Sequence, residues 1–209
     1  MTTILPNIQD FIETEIIPRY DNFDAGHRRD HVEEVIAQSL NLAQYYDVDI
    51  NMVYVIAAYH DVGLVDGREF HHIKSGEIVR EDERLRQWFD EAQIEIMAEA
   101  VVDHRASNKN EPRSIYGKIV AEADRIIDAD MIVRRTIQYG LAHYPEYEKE
   151  KHYERFVEHM NEKYAEGGYL KLWIPQSPNA LRLYEFQQKI KEPGVLRALF
   201  DDMWIQLVE

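Results

Sequence analysis

The sequence contains no cysteine. Disulfides, thiolate metal sites and cysteine nucleophiles are therefore excluded, and any metal must be held through His, Asp or Glu. No apolar run is long enough to cross a bilayer. The opening residues, Met1 to Pro6, lack a basic stretch followed by an apolar one, so no secretory leader is expected. Cations are scarce: 24 Lys and Arg stand against 39 Asp and Glu, a formal net charge of −15. That balance argues against polymeric nucleic acid and anionic membranes as partners. It leaves room for a local basic pocket that takes a small phosphate. A cytoplasmic location is the expectation. Period-2 strand patterns, internal repeats and low-complexity segments are missing as well.

What is present is helical periodicity over 209 residues, 45% of them hydrophobic, enough for a sizeable core. Helices are expected at Leu5–Pro18, Arg29–Tyr46 and Met52–Tyr59, the last capped by Asp49. Gly63 and Gly67 mark a loop. Further helices are expected at His72–Asp82 and Ala92–Val102, with a polar loop from Ser107 to Arg113. Ser114 to Tyr139 reads as one long helix or two in tandem. Tyr153–Ala165, Pro178–Lys191 and Gly194–Val208 complete the chain. The fold class is all-α: a single domain spanning 1–209, with a helical bundle over about 20–140 and a helical extension over about 141–209. In the last helix Leu196, Leu199, Phe200 and Met203 recur at helical spacing beside Trp204. That stripe is read as intramolecular core, with a homodimer surface as the alternative.

His60 and Asp61 end the most apolar helical stretch, Met52 to Tyr59. A buried carboxylate needs a cation or several hydrogen-bond donors. His60 shares a face with Val53 and Ile56. His104 extends the face of Met97 and Val101. Asp124 lies between Val120 and Ile127. His31 lies one turn before Val35, and His72 one turn before Ser75 and Gly76, small residues that admit a neighbouring helix. Imidazole and carboxylate converging from separate helices suit a divalent transition metal: Mn, Fe, Co, Ni or Zn. The alternative for any single residue is a satisfied core histidine, a helix cap or an Arg partner. His143, His152 and His159 are read as surface or partly packed residues.

The order His31, His60-Asp61, His72, His104, Asp124 resembles the HD-domain superfamily of metal-dependent phosphohydrolases. His27-Arg28-Arg29-Asp30-His31, Ala57-Ala58-Tyr59-His60-Asp61-Val62-Gly63, His72-Ile73-Lys74-Ser75-Gly76, Asp103-His104-Arg105 and Ala123-Asp124-Arg125 carry the likeness, over about residues 20 to 140. The resemblance implies that His31, His60, Asp61 and Asp124 hold one metal ion. It implies that His72 and His104 hold a second ion or contact the substrate. His27 would line the pocket, and Lys74 and Arg125 would counter phosphate charge. Leu64 departs from the pattern, because some relatives carry a Lys or a catalytic Glu at that place. Asp66 is the nearest substitute in the following loop.

The implied activity is hydrolysis of a small phosphoester or phosphoanhydride, a nucleotide among the candidates, with one or two metal ions. Two alternatives remain open: an HD-type di-iron oxygenase, and a non-catalytic nucleotide-sensing module that keeps its metal.

Overall fold

The computed structural model describes residues 3–23, 27–108 and 110–208. Among these, every regular element is helical: ten α-helices and four shorter helical turns, with no strand. The chain divides into two compact units. The first comprises Met1–Arg125 and Trp173–Ser177, the second Ile126–Leu172 and Pro178–Glu209. Where the sequence suggested an extension from about residue 141, the division falls after Arg125.

In the first unit the chain enters as α1 (Pro6–Phe11), with Pro6 in the first turn. A π turn (Ile12–Ile16) and a 3-10 turn (Ile17–Asn22) follow. Pro18 has no N–H to give to an α ladder, and the hydrogen-bond register changes ahead of it. Next come α2 (Arg29–Ala43) and α3 (Ile50–Tyr59). Asp49 caps α3 as expected, accepting from the Asn51 N–H at 2.9 Å. Every residue of α3 from Met52 to Tyr59 is buried, which explains its continuous apolar run. The expected loop around Gly63 is a 3-10 turn, Val62–Asp66. Then follow α4 (His71–Glu81), α5 (Glu91–Asp103) and α6 (Ile115–Ala123). A reciprocal Asp90–Gln93 capping box starts α5.

One core joins these elements. Ile8, Ile12, Val35, Val53, Ile56, Met97, Val101, Ile119 and Val120 are all fully buried within it. Ile174 belongs to the same core. The segment that carries it is held by the buried Glu122 carboxylate, which accepts from the Trp173 N–H at 2.6 Å and the Ile174 N–H at 3.4 Å.

The second unit is built from α7 (Ala129–His143), α8 (Lys149–Lys163), α9 (Asn179–Lys191) and α10 (Pro193–Val208). The stretch from Ser114 to Tyr139 is thus two helices, α6 and α7, interrupted at 124–128. Phe200 anchors this unit, packing on Phe156, Tyr153 and Trp204 with ring centroids 5.2–5.5 Å apart. Leu196, Phe200, Met203 and Trp204 are buried, and Leu199 is half-buried, so the α10 stripe is core. Of the surface or partly packed positions expected for His152, neither holds in full: it is buried, packed against Trp204.

Gly63 sits where the 3-10 turn meets α4. Its N–H donates to the Ser75 hydroxyl at 2.8 Å. A Cβ there would collide with the His71 carbonyl and lie 2.5 Å from the Ser75 nitrogen, both backbone atoms. Replacing Gly63 by Ala should therefore destabilise the protein by roughly 1–3 kcal/mol or more, as expected for overpacking. Urea unfolding monitored by circular dichroism checks this.

Candidate metal centre

Six side chains converge in the first unit, and five come from the ends of helices. His60 is the C-cap of α3, and Asp61 follows it. His71 is the first residue of α4, His104 the C-cap of α5 and Asp124 the C-cap of α6. His31 lies in the first turn of α2. Three of these ends are helix C-termini, whose carbonyls carry partial negative charge and favour a cation.

The donor atoms fall into two groups. His31, His60 and Asp124 form the first. His31 Nε2 lies 3.2 Å from Asp124 Oδ1 and 3.3 Å from His60 Nε2. His60 Nε2 lies 3.8 Å from Asp124 Oδ1. Asp61, His71 and His104 form the second. Asp61 Oδ1 lies 3.2 Å from His71 Nε2 and 3.4 Å from His104 Nε2. Those two nitrogens are 3.3 Å apart. Asp61 belongs to both sets: its Oδ2 faces His60 at 3.2 Å and His31 at 3.7 Å. One carboxylate thus offers an oxygen to each triad.

The protons decide what such a cluster can hold. His60 Nδ1 donates to the Ala57 carbonyl at 2.7 Å, His104 Nδ1 to Val101 at 2.6 Å and His71 Nδ1 to Arg68 at 2.8 Å. Each ring therefore turns its Nε2 to the interior, where it offers a lone pair whenever the ring is neutral. Lone pairs 3.3 Å apart repel unless a proton or a cation stands between them. Tethering the far nitrogen to a carbonyl is how proteins orient metal-binding histidines. Ligand bonds of about 2.0–2.1 Å in a tetrahedral shell put donor atoms about 3.3 Å apart. The residues present therefore fit a divalent transition metal at each triad.

Electrostatics agrees. Burial opposes ionisation of Asp61. The neighbouring imidazoles, His60 foremost, prevail and hold the carboxyl well below the usual carboxylate range. Asp124 is likewise lowered despite its burial, by its hydrogen bond from His31 and by the neighbouring imidazoles. Burial would push His60 down, but Asp61 and then Asp124 lift it to about 9.

His71 was missed by the sequence reading, which favoured His72. On α4 the buried residues are Ser75, Gly76 and Val79. His72 projects closer to the middle of that face than His71 does, since each helical residue turns by about 100°. The centre, however, lies at the N-terminal end of the helix, not along its flank. Helical side chains lean toward the N-terminus, and from there His71 meets Asp61. His72 turns instead to Arg105, with 3.4 Å between its Nδ1 and the guanidinium. Burial and Arg105 push the His72 imidazole down to about 4.

The remaining expected residues take varied positions. His27 stands edge-on to His31 with 5.7 Å between ring centroids. Lys74 pairs with Glu77 at 3.3 Å and with the exposed Asp66 at 3.8 Å. Arg125, just beyond α6, is buried and donates to the Ala121 carbonyl of that helix. Neither Lys74 nor Arg125 joins the two triads. His104 gains support that sequence reading did not find: its neighbour Asp103 is buried and accepts from the Arg113 N–H at 2.7 Å and guanidinium at 2.9 Å.

Two predictions follow from the protonation and the geometry. An imidazole raised from about 6.5 to about 9 stabilises the fold fully below pH 6.5 and loses that contribution as pH rises through 9. Chelator-treated protein should therefore melt at progressively lower temperature from pH 6.5 to 9. Added Zn or Mn should abolish the decline, because the cation replaces the proton. Differential scanning calorimetry across that range reads both effects. In elemental analysis, His71→Ala should carry about one metal ion fewer per chain than wild type, while His72→Ala should keep the wild-type content.

Residues 28–128 match the family model described as HD domain. No curated protein and no solved structure matches the chain. All six converging residues lie inside the matched span, in the order His31, His60, Asp61, His71, His104 and Asp124. Over residues 28–128, just under half of its length, the chain is similar to the HD domain.

Proposed function

We propose that this protein is a metal-dependent phosphohydrolase acting on a small phosphoester or phosphoanhydride, with nucleotides as the first candidates. The observation that carries this reading is the division of Asp61 between two donor triads. His31, His60 and Asp124 would hold one ion, and Asp61, His71 and His104 a second. Bound divalent ions supply Lewis-acid polarisation of a phosphoryl oxygen and a water acidic enough to react near neutral pH.

The residues of the chain do the rest. Asp61, buried and ionised, fixes both donor sets relative to each other. The tethered Nδ1 atoms of His60, His71 and His104 turn three Nε2 atoms toward the centre. Arg105 and His72, one residue beyond His104 and His71, bring a guanidinium and an imidazole donor beside the second triad. Groups of that kind stabilise charge spreading over phosphoryl oxygens. The net charge of −15 disfavours long polyanions and is compatible with small phosphates that enter a local site.

A carboxylate shared between two imidazole pairs also supports a second reading, a di-iron oxygenase. The two separate cleanly. Protein loaded with Mn, Co or Zn should release phosphate from members of a phosphoester and nucleotide panel, and Asp61→Ala should lose about 100-fold or more of that rate. Oxygen uptake by Fe(II)-loaded protein, with no phosphate release under any metal, would establish the second reading instead.

A further inference from the structure

We propose that Tyr20 is a positioning residue for the metal centre, holding the His60–Asp61 turn through its hydroxyl. The inference rests on the metal-centre reading above and concerns a residue that precedes the matched span, 28–128. Tyr20 lies in the 3-10 turn Ile17–Asn22 and is fully buried.

The need for it arises where α3 stops. The helix ends at Tyr59, and Asp61 has left helical geometry, with φ −113° and ψ 7°. In a continuing helix the Asp61 N–H would bond to the Ala57 carbonyl. His60 Nδ1 already uses that carbonyl, at 2.7 Å. Two buried backbone groups at this break thus need other partners. The Tyr20 hydroxyl serves both: it accepts from the Asp61 N–H at 3.2 Å and donates to the Ala58 carbonyl at 2.9 Å. On the other side, the Asp61 carbonyl accepts from the Leu64 N–H at 3.0 Å. The Asp61 backbone is pinned at both ends, so its carboxylate keeps one oxygen on each triad. Packing alone does not require the hydroxyl. A phenylalanine could keep the edge contact with Phe23, 5.3 Å between centroids, and the approach to His60.

The test compares wild type with Tyr20→Phe by Co(II) titration, reading the visible d–d spectrum, with circular dichroism as the check on folding. The expected result is a variant with wild-type helicity, Co(II) affinity lowered by about 10–100-fold and a changed spectrum. Equal affinity with an unchanged spectrum overturns the proposal while leaving the metal centre intact. A wild type that takes up no Co(II), Zn or Mn overturns the metal-centre reading and this proposal with it. Should Tyr20→Phe not fold, amide exchange at Asp61 in the wild type decides. Protection comparable to the interior of α3 supports the clamp, and exchange as fast as at the exposed Val65 overturns it.

Discussion

The first unit is organised around one electrostatic requirement: the Asp61 carboxylate is buried and ionised, and it needs cations on both of its oxygens. His60 and His31 approach one oxygen, His71 and His104 the other. Four helices must end or begin within a few ångströms of this carboxylate to deliver those rings. Short caps, close glycines and buried hydroxyls at those ends follow from that demand. Ser75 and Gly63 let α4 approach the 3-10 turn, and Asp103 fastens the end of α5 to Arg113.

The helical architecture was legible because its signals are local. Asp49 sits one residue before an apolar run and caps it; the α10 stripe repeats at helical spacing and packs inward. Most of the centre was legible for the same reason, since His60, His104 and Asp124 each extend the apolar face of their own helix. The choice between His71 and His72 was not legible. It depends on where Asp61 lies beyond the end of α4, a tertiary fact that no helical wheel contains. Tyr20 was hidden for a stronger reason: nothing in Arg19-Tyr20-Asp21 marks a partner, and its two backbone partners lie 38 and 41 positions away. The break between α6 and α7 remained open in the sequence because Ala123-Asp124-Arg125-Ile126-Ile127 continues the apolar spacing. Asp128 marks the restart by accepting from the Met131 N–H at 2.8 Å.

Polar groups in the two units serve different purposes. In the first unit buried imidazoles and carboxylates face one another and define a site. In the second, charges stay at the rim: Arg197 reaches Glu150 and Asp201 at 2.7 Å each, while aromatic rings fill the interior. Such exposed pairs stabilise little, so burial of Phe156, Phe200 and Trp204 is the main support of that unit.

Glu122 ties the first unit to residues made much later. Its carboxylate, in the helix that ends at Asp124, is met by the N–H groups of Trp173 and Ile174, and Ile174 completes the core beside it. On the ribosome, the segment that carries all six converging side chains emerges well before those donors do. Its folding cannot be finished one unit after the other in order of synthesis. The core of the first unit is complete only after the chain has gone on to build α7 and α8 and has come back, so a protein cut after Arg125 would hold the whole pattern of ligands without the segment that meets Glu122 and adds Ile174.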